Sequence, residues 1–189
     1  MSQDNEKQQQ ILDAALQVFG RYGFRRTSME LIAQAAGVSR PALYKHYTGK
    51  EEIFRAMAER AIDQLITRAA EIGTGDGDVA DRIFRALYLK LEFLAGSVEA
   101  EFRGEMLAEV SVLAPDLTRS FKERHVAVVE SVLLAAEAEL PRLGAVLSAR
   151  DAAELLLASL AGIAQQEEEL DVLRTRLWQL VDITVRSLT

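Results

Sequence analysis

The chain has no cysteine, and only two histidines and three prolines in 189 residues. Without a thiol there is no disulfide scaffold, no cysteine nucleophile and no Cys-ligated zinc. The histidines, His46 and His125, are far apart in sequence, and neither HExxH nor GxSxG occurs. Acidic residues are plentiful but spread as helix-surface charges. The chain is therefore not expected to be an enzyme, and no cofactor or metal is expected. No apolar run approaches the roughly 18 residues of a membrane span. The opening MSQDNEKQQQ lacks the apolar core of a secretory signal. A soluble, cytoplasmic protein is the expectation. Alternating strand patterns are missing as well, so the fold class is all-α, with about nine helices.

Apolar residues make up 49% and charged residues 27%, enough for one large core or two small helical domains. The net charge of −7 hides a division. Residues 1–50 hold seven Lys or Arg against four Asp or Glu, while residues 51–189 hold fifteen against twenty-five. A phosphate backbone responds to the field of the face that docks on it, so the basic front end outweighs the acidic sum.

That front end contains the most informative stretch, TSMELIAQAAGVSRPALYKHYTGK, residues 27–50. After a polar arm at residues 1–8, Ile11, Ala15, Val18, Phe19 and Tyr22 form a helical stripe that Gly23 ends. Thr27 and Glu30 have the spacing of a capping box. Gly37 closes the short helix that follows, with Val38 as an apolar plug in the turn. Ser39 caps a second short helix with Pro41 in its first turn. This second helix points Arg40, Tyr44, Lys45 and His46 outward and Leu43 and Tyr47 inward. Two short helices joined by a glycine turn, the second basic, predict a DNA-binding helix-turn-helix.

Over residues 7–54 the sequence resembles the N-terminal domain of the TetR family of bacterial transcriptional regulators. The resemblance implies an N-terminal three-helix DNA-binding domain, residues 1–50, and a C-terminal ligand-binding and dimerisation bundle, residues 51–189. Arg40 is the candidate for base readout, because its fork matches guanine O6 and N7. Thr27, Ser28, Tyr44, His46 and Lys50 are candidates for phosphate contacts that fix register. The resemblance adds Pro41 and Ala42 as positions near bases, with Ser39 beside them. Lys45 departs from the aromatic common there, and its role stays open.

Beyond a long fourth helix, GTGDGD at residues 73–78 reads as a flexible loop. It is not a calcium loop, since the twelfth position counted from Asp76 is Leu87. His125 shares a stripe with Phe121, Val128 and Val132 and should point inward, as a satisfied core residue or as a pocket wall. The resemblance implies a small-molecule cavity, for which Phe84, Tyr88, Leu91, Phe102, Met106, Phe121, His125 and Val129 are candidates. Glu167, Glu168 and Glu169 read as a solvated helix end. The last two helices carry apolar residues on more than one side. Leu155, Leu156, Ser159, Leu160, Gly162, Ile163, Leu173, Leu177, Leu180, Val181 and Val185 are the candidates for a homodimer interface built as a four-helix bundle. Burial of both faces within one subunit is the alternative. The functional expectation is a homodimeric repressor that binds a palindromic operator and is released by a small-molecule effector. A helical adaptor without an effector is the second reading.

Overall fold

The structure is a computed structural model describing residues 3–166 and 168–189. Among the described residues there are nine α-helices and no strand. They are α1 (Gln3–Arg26), α2 (Met29–Ala35), α3 (Arg40–His46), α4 (Lys50–Gly73), α5 (Val79–Ser97), α6 (Arg103–Leu113), α7 (Pro115–Ala135), α8 (Ala149–Ala164) and α9 (Leu170–Leu188). No helix among them is long and apolar enough to cross a membrane. The chain forms two compact units, Met1–Ile62 with Leu94–Thr118, and Asp63–Phe93 with Arg119–Thr189. The division falls inside α4, α5 and α7.

The first unit is built around three rings. Phe19, Phe24 and Phe54 meet with centroids 5.0–5.7 Å apart, and all three are buried. Such pairs add roughly 0.5–1.5 kcal/mol each beyond the area they bury. Ile11, Ala15 and Val18 of the expected stripe are buried beside them, but Tyr22 is exposed. Gly23 follows it with a positive φ of 75° that breaks the helical path, and Phe24, just beyond the break, is buried in the core. The expected polar arm is also corrected: helix begins at Gln3, with Asp4 and Glu6 in its first turn, where the positive end of the macrodipole favours carboxylates. Residues 1 and 2 lie outside the described residues.

A second feature of this unit is a close backbone approach. The Glu99 amide donates to the Gly20 carbonyl at 2.9 Å. A Cβ at Gly20 would lie 1.9 Å from the Ser97 carbonyl oxygen. Only glycine lets α1 pass the end of α5 at this distance.

In the second unit, α8 and α9 pack along their shared apolar faces. The glycine-rich connection at residues 73–78 is pinned rather than loose. Arg82 donates to the Gly73 carbonyl, Arg85 to the Asp76 carbonyl, and Asp78 caps α5 by accepting from the Asp81 amide. Arg150 on α8 binds Glu123, Glu130 and Glu154 together. Glu168 pairs with Arg176, and Glu169 is the residue from which α9 starts. Glu167 lies outside the described residues.

Candidate nucleic-acid interface

The turn between α2 and α3 forms as its residues dictate. Gly37 adopts φ 62°, and the Val38 amide returns to the Ala33 carbonyl at 3.0 Å while its side chain packs on the core. The Ser39 hydroxyl accepts from the Ala42 amide and starts α3, with Pro41 in the first turn. Leu43 and Tyr47 are buried, which fixes the rotation of α3 about its axis. Burial also raises the Tyr47 phenol above its ordinary pKa. Arg40, Pro41, Tyr44 and Lys45 are left exposed on one side, with Ala42 and His46 half-buried beside them.

The charges on this face are not free of acid. Glu30 of α2 meets the Arg40 guanidinium at 3.3 Å, and Arg40 also lies over the Tyr44 ring at 5.9 Å. Asp4 stands 3.8 Å from His46. These two acids are the residues of the face that the sequence reading missed. The capping box expected of Thr27 and Glu30 does not form. The N-cap of α2 is Ser28, which accepts from the Leu31 amide. That shift of one residue leaves Glu30 exposed and free to turn toward Arg40.

Thr27 and Lys50 also fall elsewhere than expected. Thr27 is buried, and its hydroxyl donates to the Gly23 carbonyl at 2.7 Å. Its side chain therefore closes the α1–α2 corner and does not face solvent. Lys50, at the start of α4, donates through its ammonium to the carbonyls of Phe24, Thr27 and Arg25 at 3.0, 3.1 and 3.4 Å. It also lies 4.4 Å from the centre of the Phe24 ring. The carbonyls at the end of a helix lack partners within it, and this lysine reaches two in the last turn of α1, Phe24 and Arg25, and one just beyond it, Thr27. Ser28 stays exposed at the N-terminus of α2.

The structure separates the other candidates. Phe102 and Met106 belong to the core of the first unit, where Phe102 packs against Gly23 and Arg26. They do not join the remaining pocket candidates, all of which lie in the second unit. There Phe84, Leu91, His125 and Val129 are buried and Tyr88 and Phe121 half-buried. Phe84 stacks on Tyr88 at 5.4 Å, with Trp178 edge-on to Phe84 at 5.3 Å. A groove of about 410 Å³ that the sequence did not suggest lies in the first unit, between Leu16–Arg21 of α1 and Ala95–Arg103. Of the dimer candidates, Leu156, Leu160, Leu173, Leu177, Val181 and Val185 are buried in this chain's own core. They are corrected to core positions, because the inner faces of α8 and α9 cover one another. Leu155, Ser159 and Gly162 are exposed, with Ile163 and Leu180 half-buried, and Ile183 joins them at 67% exposure.

Comparison with known proteins agrees with this geometry. Residues 11–57 match the family model of bacterial regulatory proteins, tetR family. The nicotine-responsive transcriptional repressor HdnoR of Paenarthrobacter nicotinovorans is 26% identical over 164 residues, spanning 85% of this chain and 83% of its own. The transcriptional activator FasR of Mycolicibacterium smegmatis is 32% identical over 90 residues, 48% of this chain. The match spans only 41% of FasR's length. Among solved structures, the regulator FadR from Bacillus subtilis in complex with stearoyl-CoA superposes with a TM-score of 0.69 and 19% identity, covering 92% of this chain and 96% of that one.

Proposed function

The chain belongs to the TetR family of bacterial regulatory proteins, a DNA-binding transcriptional regulator, and from that premise we propose that it is a cytoplasmic homodimeric repressor released from a palindromic operator by a small molecule. The observation that carries this reading is the exposed face of α3. Arg40, Pro41, Tyr44 and Lys45 stand clear of a core that fixes the helix by Leu43 and Tyr47. In a helix-turn-helix the second helix enters the major groove with its early residues at base edges. Arg40 then reads a base, Ala42 meets a thymine methyl, and Tyr44, His46 and Ser28 hold phosphates. Glu30 keeps the guanidinium ordered until a guanine replaces it. Lys50 acts at one remove, by holding α4 against the end of α1.

DNA-binding corresponds to residues 1–50 and effector binding with dimerisation to residues 51–189. HdnoR is named as a nicotine-responsive repressor, and FadR was solved with stearoyl-CoA; both support an effector for this chain without identifying it. Two copies associate through the outer faces of α8 and α9, where Leu155 and Ile183 are solvent-exposed. The pairing sets two recognition helices about one DNA turn apart, roughly 34–36 Å. A ligand that prefers a different separation lowers DNA affinity by its differential binding to the two states. Anisotropy titrations of the purified chain with duplex from its own upstream region test the reading. Binding as a dimer that weakens steeply with salt is expected. A monomer with no preference among duplexes favours the adaptor instead.

A further inference from the structure

A face that docks on phosphates gains from each cation and loses from each acid, yet the face of α3 carries two carboxylates. Glu30, in the first turn of α2, lies against the Nε edge of the Arg40 guanidinium at 3.3 Å. Asp4, in the first turn of α1, stands 3.8 Å from His46 at the other end of α3. The fold gains little from the first of these pairs. The Glu30 and Arg40 side chains are 63% and 56% exposed, and an ion pair so open to water adds little stability. Pairs that tie distant residues of this chain are built differently. Arg55 donates to Asp116 through both terminal nitrogens, and Arg150 binds three glutamates. Arg40 instead meets a single carboxylate oxygen through Nε, with its guanidinium carbon 5.9 Å from the centre of the Tyr44 ring. Its two terminal nitrogens have no protein acceptor among the described residues.

The arrangement decides what Arg40 does on the wrong DNA. An unpaired guanidinium on this face attaches to any phosphate in reach, which adds affinity without sequence information. Glu30 competes for the guanidinium as an anion already in contact with it. A duplex that offers Arg40 only phosphate has to break the pair, and it then faces a bare carboxylate across the interface. Guanine offers more than either anion contact: O6 and N7 accept together from two guanidinium N–H groups in one plane. We propose that Glu30 is a specificity-determining residue that acts through Arg40, withholding the guanidinium from phosphates and yielding it to guanine. Its contribution is repulsive, lowering affinity for the wrong duplex more than for the right one.

This inference rests on the reading of Arg40 as the residue that contacts a base. Two probes are titrated across a range of salt: a pool of random-sequence duplexes, and the duplex that the wild-type chain enriches from that pool. The proteins are the full-length wild type, Glu30→Gln, Asp4→Asn, Arg40→Ala, and Glu30→Gln combined with Arg40→Ala. Glu30→Gln should melt as the wild type does and bind the pool about three- to fivefold more tightly, with a salt slope steeper by about 0.9, one added phosphate contact. Its affinity for the enriched duplex should change less, so the preference for that duplex falls. Asp4→Asn removes an acid from the same face without releasing an arginine and should move both probes alike. In the Arg40→Ala background, Glu30→Gln should also move both alike. A Glu30→Gln protein that binds the two probes more tightly by the same factor overturns the proposal. So does a loss of preference that is as large without Arg40 as with it. Either result leaves the Arg40 reading standing, whereas a wild-type chain that enriches nothing from the pool removes that reading and the proposal together.

Discussion

Lys50 and Lys90 each lie beside a phenylalanine ring, and they show how differently the two units are finished. The Lys50 ammonium has three carbonyls to donate to, and Lys90 has no acceptor among the described residues. The contrast extends beyond the two lysines. Among the described residues, the buried side-chain nitrogens without a partner are Arg82 Nε, Arg85 Nε and His125 Nδ1, all in the second unit. Among the described residues of the first unit, the buried Thr27 is answered by the Gly23 carbonyl and the half-buried Lys50 by carbonyls at the end of α1, while the exposed Gln10 donates to the Ala36 carbonyl. The DNA-facing unit has the chemistry of a structure complete in itself. The other, among the described residues, retains unmet hydrogen-bonding capacity at Arg82, Arg85 and His125.

If this comparison is right, the first unit should resist change and the second should tolerate it. The largest effect is expected from Gly20→Ala. Alanine normally favours a helix, but here its methyl meets backbone rather than a movable side chain. A loss of ~3 kcal/mol or more is expected, at the upper end of overpacking costs, read as a drop in the urea midpoint. Lys50→Met comes next, with a loss of roughly 2 kcal/mol for the bonds to a charged group. It should weaken DNA binding while leaving the salt slope unchanged. A slope that falls by about 1 would instead make Lys50 a phosphate contact.

The third prediction concerns pH in the second unit. A histidine whose pKa drops from 6.5 to about 4 on folding binds more protons when unfolded. Stability should therefore fall as pH drops through this window, by about 2 kcal/mol between pH 7 and pH 5. His125→Phe should flatten that dependence in equilibrium unfolding curves, and an unchanged slope would remove His125 as its source. Arg40→Ala should leave stability intact and cost ~1–3 kcal/mol of discrimination at one base position per half-site. The smallest effect is expected from Glu30→Gln. Removing an exposed acid from the docking face should tighten DNA binding by under about 1 kcal/mol, more at low salt than at high.

The sequence made legible what is local. Gly37, Val38, Ser39 and Pro41 define the turn and the start of α3 within a few residues, and the inward pair Leu43 and Tyr47 follows from helical spacing. What it missed depends on distant partners. Nothing at residue 50 announces that the carbonyls of Phe24, Arg25 and Thr27 lie within reach. Glu30 suits a capping box as well as an ion pair, and only the fold brings Arg40 to it. In α8 and α9, with apolar residues on more than one side, periodicity does not distinguish the inner face, so six core residues have the spacing of an interface. Phe102 and Met106 belong to the core of the first unit although their sequence pattern suits a pocket wall, since pocket and core walls share a composition.

The face of α3 as a reader of DNA sequence is tested most directly by selecting duplexes from a random library with the folded wild-type chain, and in parallel with Arg40→Ala. The account predicts an enriched inverted repeat with half-site centres about one helical turn apart, and loss of preference at one base pair in each half for the variant. Recovery of no common sequence at low salt, or of the same sequence by both proteins, would contradict it.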